Sequence, residues 1–322
     1  MEFGYFLSSE EHPPNDLVRN ARAAEEAGFS FAMISDHFHP WIDEQGHSPF
    51  VWSVLGGIAH ATERLGLITG VTCPTIRIHP AIVAQAAATT AAMMPGRFSL
   101  GVGSGENLNE HILGDVWPSA DERLEMLEEA IDVIRQLWEG GMTSYRGIHY
   151  RVENARLYTL PDEPPPIVVA AAGSQAASLA AAVGDGLCAT SPEPKVISTY
   201  REAGGRGPRY GKVTVCWAED EAEARRTAFR LWPQTAVPGQ ASQELPLPKH
   251  FEEVSQLATE EKVAGSIVCG PDADRHVEAI KAFVDAGFDR IAIHQVGPDQ
   301  AGMLRFYREH VLPKASELRE AA

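Results

Sequence analysis

Histidine and carboxylate side chains follow two of the short apolar segments in this chain. Ser35-Asp36-His37-Phe38-His39-Pro40-Trp41 comes after one segment, and Gly103-Ser104-Gly105-Glu106-Asn107-Leu108-Asn109 comes after another. An imidazole titrates near neutral pH, and a cleft can tune the pKa of a carboxyl group. A histidine and a glutamate held close together therefore suit a redox or acid–base reaction.

The segments that must position these residues alternate along the chain. Short apolar runs are separated by stretches with helical periodicity, which is typical of a parallel α/β fold. Eight runs are predicted to be strands: Phe3 to Leu7, Phe31 to Ser35, Leu65 to Val71, Arg97 to Gly103, Ile167 to Ala172, Gly186 to Thr190, Val213 to Trp217 and Arg290 to His294.

Helices are indicated by the spacing of apolar residues and by capping signals. Two apolar series recur at helical spacing: Leu17, Ala21 and Ala24, and then Leu124, Leu127, Ile131, Ile134 and Trp138. Ser119 to Glu122 has the pattern of a capping box, and Pro80 and Pro271 are predicted in first helical turns.

An internal similarity supports repeated βα units. Ala27-Gly28-Phe29-Ser30 and Ala286-Gly287-Phe288-Asp289 each precede a predicted strand, and His37 and His294 lie near the ends of those strands. Eight such units predict a closed (β/α)8 barrel of TIM type, which needs about 250 residues and places its active site at the carboxyl ends of the strands. We expect one domain over 1–322 with insertions near 104–120, 142–162 and 233–262. A hairpin is predicted within Tyr145 to Leu160, and a short extra strand over Ile267 to Cys269.

Glycines at the predicted rim would let a ligand approach the backbone closely. Gly103, Gly105 and Gly173 precede helices whose N–H groups could face an anion such as a cofactor phosphate, although glycines at such turns are also ordinary turn formers. The GVGSG segment does not follow the G-x-G-x-x-G spacing of a dinucleotide fold.

Composition excludes several classes of function. The net charge of −17 disfavours binding to nucleic acid or to an anionic membrane. The four cysteines form no CxxC pair, and no apolar run is long enough to span a bilayer. We expect a folded protein of the cytoplasm without disulfide bonds.

His37 and His39 form an HxH pair after a strand, as in the metal site of TIM-barrel amidohydrolases. Those enzymes also have a lysine and two histidines at the ends of the middle barrel strands. Here the predicted strands five and six end near Gly173 and Thr190, which are not metal ligands of that kind. A metal-dependent hydrolase therefore stays an alternative with an incomplete ligand set, and we expect no metal site.

The chain resembles the luciferase-like superfamily, and within it the branch that uses the deazaflavin coenzyme F420, typified by the F420-dependent glucose-6-phosphate dehydrogenases. The resemblance covers nearly the whole chain. It is carried by SDHFHPW with GHSPF, TGVTCPT with HPAIVAQAAAT, PGRFSLGVGSGENLNE, IRQLWEGG and AAAG followed by GDGLCATS, in the family's order and spacing.

This resemblance implies roles for three catalytic residues. His37 would take the proton of the substrate hydroxyl while hydride leaves the same carbon for C5 of F420. Trp41 would steady the reacting centre, and Glu106 would face the N1 side of the coenzyme as a proton donor or charge stabiliser.

The resemblance also implies the coenzyme-binding positions, a non-proline cis peptide at Gly70-Val71 and a homodimer. The matching positions are Asp36, Gly70, Val71, Ser104, Gly105, Asn109, Ala172, Gly173, Ser174 and Gln175.

Substrate-binding positions match only in part. Glu10 and Thr190 agree with the family, but Glu193, Ala241 and Gly265 stand where the glucose-6-phosphate enzymes have phosphate-binding cations. A carboxylate in place of a cation repels phosphate, so we expect an alcohol or sugar substrate that is not a sugar phosphate. Lys195 is the nearby cation that could restore phosphate binding.

The sequence therefore predicts an F420-dependent dehydrogenase acting on an alcohol or sugar hydroxyl. An FMN-dependent monooxygenase of the same barrel is the first alternative. The metal-dependent hydrolase and a catalytically silent coenzyme carrier are the others.

Overall fold

The computed structural model describes residues 1–237 and 239–318, so Pro238 of the predicted third insertion and residues 319–322 of the predicted domain lie outside the described residues. The strands are β1 Glu2–Leu7, β2 Phe31–Ile34, β3 Gly66–Thr69, β4 Phe98–Val102, β5 Thr143–Arg146, β6 Arg151–Ala155, β7 Ile167–Ala170, β8 Gly186–Ala189, β9 Arg209–Cys216, β10 Val268–Cys269 and β11 Arg290–Gln295.

Eight parallel strands close into a barrel. The order β9-β11-β1-β2-β3-β4-β7-β8 is completed by pairing between β8 and β9, which leaves the ring without a free edge. The predicted (β/α)8 barrel is confirmed. Strand bounds differ most at β9, which begins at Arg209 rather than Val213, so that Tyr210 and Lys212 belong to the barrel wall.

Helices surround the barrel, and the long ones each bury one face. They are α1 Pro14–Glu26, α2 Val51–Ala61, α3 Pro80–Met93, α4 Asn107–Glu110, α5 Ala120–Trp138, α6 Ser174–Val183, α7 Pro194–Glu202, α8 Glu221–Leu231, α9 Ala241–Glu244, α10 Pro248–Ser255, α11 Glu260–Ala264, α12 Ala273–Ala286, α13 Gln300–Phe306 and α14 Leu312–Glu317. The predicted stripe Leu17, Ala21 and Ala24 on α1 is fully buried.

Capping residues act mostly as predicted. The Ser119 side chain accepts a hydrogen bond from the Glu122 N–H at the start of α5, and Pro80 occupies the first turn of α3. The prediction for Pro271 was wrong, because Asp272 caps α12 by accepting from the Asp274 N–H and leaves the proline outside the helix. A carboxylate acceptor fixes the helix start more strongly than the fixed φ of proline does.

The predicted repeat is visible in the backbone. Gly28 follows α1 with φ +95°, and Gly287 follows α12 with φ +99°, before β2 and β11 respectively. A side chain at either position would be strained, which explains why the same residue ends both helices.

The barrel interior is filled by a separate apolar cluster. Its members point inward from the strands and include Phe6, Met33, Ile68, Val168 and Tyr210. This plug closes the barrel below its carboxyl end, so that only the mouth above the plug is open to ligands.

Several further elements stand outside the alternation of barrel strands and helices. β5 and β6 form the predicted antiparallel hairpin, and β10 is the predicted extra strand, parallel to β9. Residues 104–120 hold the short α4, α9 and α10 lie within 233–262, and α11 begins there and ends at Ala264. Among the helices that the structure describes, none is long and apolar enough to cross a membrane.

Candidate active site

His37 lies at the carboxyl end of the barrel between two carboxyl groups. Its Nε2 is 3.4 Å from Glu10 Oε1 and 3.5 Å from Glu106 Oε2. The other ring nitrogen, Nδ1, lies 3.2 Å from the His39 carbonyl oxygen, which can only accept a hydrogen bond. Nδ1 therefore donates to this carbonyl oxygen, and Nε2 is the ring nitrogen that faces the two carboxyl groups.

Hydroxyl groups hold Glu10 in place after β1. The Glu10 side chain is 2% exposed, and its Oε2 accepts from Ser35 Oγ at 2.6 Å and from Ser8 Oγ at 3.1 Å. Burial alone would raise the pKa of Glu10, but the charge of His37 and the Ser35 hydrogen bond outweigh it and lower the pKa. Glu10 is therefore the ionised partner of His37.

Glu106, at the start of α4, has the opposite character. Its side chain is 32% exposed to the cleft, and Asn109 Nδ2 donates to its Oε2 at 3.3 Å. Desolvation raises the pKa of Glu106, and the negative charge of Glu10 adds to that shift, while His37 opposes it. Glu106 keeps its proton to higher pH than Glu10 does.

Trp41 connects His37 to the insertion after β9. The rings of Trp41 and His37 have centroids 5.1 Å apart, and Phe251 of α10 packs edge-on against Trp41, also at 5.1 Å. The Trp41 N–H donates to Gln45 Oε1 at 2.9 Å. The insertion thus forms the wall behind the indole ring.

Two predicted coenzyme-binding residues, Asp36 and Asn109, form hydrogen bonds with other residues of the protein. The Asp36 carboxylate, with a fully buried side chain, accepts from Thr72 Oγ1 at 2.7 Å and from Arg77 Nη2 at 2.8 Å. Asn109 Oδ1 accepts from the Phe38 and His39 N–H groups at 2.9 and 3.2 Å. In this structure both residues brace the loop that carries His37.

The other predicted coenzyme-binding residues line the same end of the barrel. Gly70-Val71 follows β3 through a cis peptide bond, as expected. Ser104 and Gly105 precede Glu106, and Ala172, Gly173, Ser174 and Gln175 are exposed at the amino-terminal end of α6. No side chain caps this end of α6, and a Cβ placed on Gly173 would meet no atom within 4 Å.

The predicted substrate-binding residues do not all meet. Glu10 contacts His37, whereas Thr190 and Glu193 are exposed after β8 and have no contact with the His37 cluster among the described side-chain interactions. Lys195 is exposed near them at the start of α7.

Two charged groups inside the cleft were missed by the sequence analysis. Lys212 lies on the inner face of β9, and Glu11 lies 3.4 Å from Nε2 of the buried His294. The alternation of Tyr210, Lys212 and Thr214 on one face of the strand could have revealed the lysine.

His39 does not belong to a metal site in the part of the chain that the structure describes. Its Nδ1 lies 2.9 Å from the Leu108 carbonyl oxygen, and its ring stacks on His111. Within residues 1–237 and 239–318, no group of three or more His, Cys, Asp or Glu side chains is arranged to hold a metal ion.

Comparison with known proteins identifies the family of the chain. Residues 1–290 match the model of the luciferase-like monooxygenase family. The F420-dependent glucose-6-phosphate dehydrogenase of Microbacterium testaceum (strain StLB037) is 36% identical, covering 98% of this chain and 97% of that protein. The F420-dependent hydroxymycolic acid dehydrogenase of Mycobacterium tuberculosis is 40% identical, covering 97% of this chain and 87% of that protein.

A solved structure resembles the whole fold. The F420-dependent secondary alcohol dehydrogenase in complex with an F420-acetone adduct superposes with a TM-score of 0.90 at 30% identity, covering 98% of each chain. The match of the family model over residues 1–290 and the relatives aligned over almost the whole chain show that this chain belongs to the luciferase-like family.

Proposed function

We propose that this protein is an F420-dependent dehydrogenase that oxidises the hydroxyl-bearing carbon of an alcohol or sugar. The observation that carries the proposal is the position of His37 Nε2, 3.4 Å from Glu10, whose pKa is lowered, and 3.5 Å from Glu106, whose pKa is raised. The F420-dependent dehydrogenases that resemble the whole chain support the choice of coenzyme.

The residues of the cleft fit such a coenzyme. A bound F420 supplies a hydride acceptor at C5. The open end of α6 offers unpaired N–H groups to an anionic part of the coenzyme, and Glu106 offers a carboxyl proton to its ring. We assign the coenzyme to Asp36, Gly70, Val71, Ser104, Gly105, Asn109, Ala172, Gly173, Ser174 and Gln175. Asp36 and Asn109 contribute chiefly by fixing the His37 loop.

Proton transfer follows from the geometry of His37. Its Nε2 takes the proton of the substrate hydroxyl as the hydride leaves the carbon, and a carbonyl product remains. The ionised Glu10, at 3.4 Å, stabilises the imidazolium that forms. The Trp41 ring restricts the reacting group to the side of the cleft where His37 lies.

Charge argues against a phosphate on the substrate. Glu193 is exposed at the rim, Ala241 begins α9, and Gly265 follows α11, so these positions present no cation. The exposed carboxylate of Glu193 at the rim also opposes the approach of a dianion. The substrate is a neutral alcohol or sugar, with Glu10, Thr190 and Glu193 as its binding residues.

We also infer the organisation of the whole protein. Residues 1–322 form one domain, and the insertions near 104–120, 142–162 and 233–262 shape the cleft. The protein acts in the cytoplasm as a homodimer.

Equilibrium binding of F420 and FMN to the purified apoprotein tests the proposal. Tryptophan emission reports binding because Trp41 lies in the cleft, and loss of the absorbance of oxidised F420 then reports turnover with glucose, glucose 6-phosphate and secondary alcohols. We expect selective F420 binding and no advantage for the phosphorylated sugar. A preference for FMN with oxygen consumption would replace the dehydrogenase by a monooxygenase. Binding of F420 without turnover of any alcohol would leave only a coenzyme carrier.

A further inference from the structure

Lys212 places an ammonium group inside the barrel mouth. Tyr210, two residues earlier on β9, belongs to the inner apolar cluster, and side chains two apart on a strand face the same way. The Lys212 Nζ lies 4.8 Å from the ring centroid of Phe6 and 5.9 Å from that of Trp232. The ammonium therefore rests on the apolar plug, among aromatic faces that tolerate a cation.

This ammonium group has donors to spare. Among residues 1–237 and 239–318, Lys212 has no ion-pair partner and no hydrogen-bond partner. Its ammonium group makes cation–π contacts with the rings of Phe6 and Trp232. An ammonium group has three N–H donors, which water or a ligand can satisfy here. The lysine is only partly buried, and an inward-facing side chain can reach solvent only through the cleft.

Charges around the lysine are already balanced. Burial lowers the pKa of Lys212, and Glu10, Glu106 and Glu11 are close enough to oppose that shift. On the β11 side the neighbour is His294, which burial and Lys212 itself keep neutral by lowering its pKa. The ionised Glu10 offsets the lysine charge. An anionic ligand would meet these carboxyl groups, whereas a neutral oxygen acceptor fits the free N–H donors.

We propose that Lys212 is a specificity-determining residue that donates hydrogen bonds to a second hydroxyl oxygen of the substrate, next to the hydroxyl that His37 deprotonates. The substrates are then neutral vicinal diols and sugars rather than simple monoalcohols. This inference rests on the proposed dehydrogenase function and adds the class of substrate.

Two ring alcohols that differ by one hydroxyl group test it. Wild-type protein loaded with F420 is expected to oxidise trans-1,2-cyclohexanediol with a higher kcat/KM than cyclohexanol. Lys212→Met should lower the ratio of kcat/KM for the diol to kcat/KM for cyclohexanol by about 10- to 100-fold, mainly through KM for the diol. Lys212→Arg keeps N–H donors and should recover part of the diol activity. Lys281→Met, on the exposed face of α12, is the matched control and should change neither value.

Three results would overturn the inference: no preference of the wild type for the diol, no effect of Lys212→Met, or equal losses with both alcohols. The last would show that the lysine acts on the carboxyl groups or on folding instead of on the second hydroxyl.

Saturation-transfer NMR of the diol with the apoprotein separates this inference from the proposed function. One outcome is that the wild type shows a diol signal that is lost in Lys212→Met and yet oxidises neither alcohol with F420. That result would count against the proposed dehydrogenase function and would support the binding role of Lys212. Absence of the signal in the wild type would overturn that role.

Discussion

Glu11 makes the free energy of unfolding depend on pH near neutrality. Its side chain is 4% exposed, its Oε1 accepts from the Gly297 N–H at 3.0 Å, and its Oε2 lies 3.4 Å from His294 Nε2. Burial raises the pKa of Glu11 from 4.5 to about 7, and the charge of Glu10 adds to the rise, although the Gly297 hydrogen bond and His12 oppose it. The folded protein thus holds a proton that the unfolded chain loses near pH 4.5.

The sign and size of the effect follow from these two pKa values. A raised pKa contributes stability that is complete below the unfolded value and is lost as pH rises through the folded value. Each pKa unit is worth about 1.36 kcal/mol, so the whole loss is about 3 kcal/mol. Glu11→Gln keeps an oxygen acceptor for the Gly297 N–H and cannot ionise. The free energy of unfolding of the variant therefore does not decrease through ionisation at this position as the pH rises.

Urea unfolding of wild type and Glu11→Gln measures the difference. Relative to wild type, the variant should gain about 2.5 kcal/mol in free energy of unfolding between about pH 5 and about pH 8.5. His12, His294 and Lys212 are present in both proteins, so their own titrations largely cancel. Glu278→Gln, at an exposed position of α12, serves as the control and should show no such pH dependence. A constant difference between the two pH values, or a variant less stable than wild type at the higher pH, would refute the reasoning.

Three further substitutions test the cleft. His37→Ala should lower turnover by about 10²- to 10⁴-fold while the F420 affinity, measured by tryptophan emission, stays unchanged, and wild-type turnover would contradict its role as base. Arg77→Met leaves the carboxyl groups of Asp36 and Glu110 buried without their cation, so urea unfolding should show a loss of about 3–5 kcal/mol, and a loss below about 1 kcal/mol would be inconsistent with the pairing. Wild-type turnover should fall as pH rises through the raised pKa of Glu106, and Glu106→Gln should be slower but lack this decline, so identical pH profiles would argue against its role as proton donor.

The barrel could be predicted because its local signals are repetitive. Strands of a parallel barrel are buried on both faces and therefore appear as apolar runs, and a glycine ends the helices before β2 and β11. The loop residues around His37 and Glu106 could be placed at one rim because parallel strands share a carboxyl end.

Pairings between distant residues could not be predicted in the same way. The sequence places Asp36 at the coenzyme but does not indicate that its carboxylate pairs with Arg77, which lies 41 residues further along the chain. Lys212 falls outside the predicted strand Val213 to Trp217, and its alternation with Tyr210 and Thr214 indicates the face but not the depth of its side chain. Its burial exists only once β8 and β9 close the ring. Such partners depend on tertiary geometry that periodicity does not encode.

The division of labour between Glu10 and Glu106 follows from their surroundings rather than from their distance to the base. Both carboxyl groups lie about equally far from His37 Nε2, at 3.4 and 3.5 Å. Glu10 receives hydroxyl donors from Ser35 and Ser8, which stabilise its ionised form, whereas Glu106 receives a single amide donor at 3.3 Å and faces the charge of Glu10. Two carboxyl groups that face one imidazole repel each other when both are ionised, so the pKa of Glu10, which has the hydroxyl donors, is lowered and the pKa of Glu106 is raised. His37, the proposed base, thereby has a carboxyl group with a lowered pKa on one side and a carboxyl group with a raised pKa on the other.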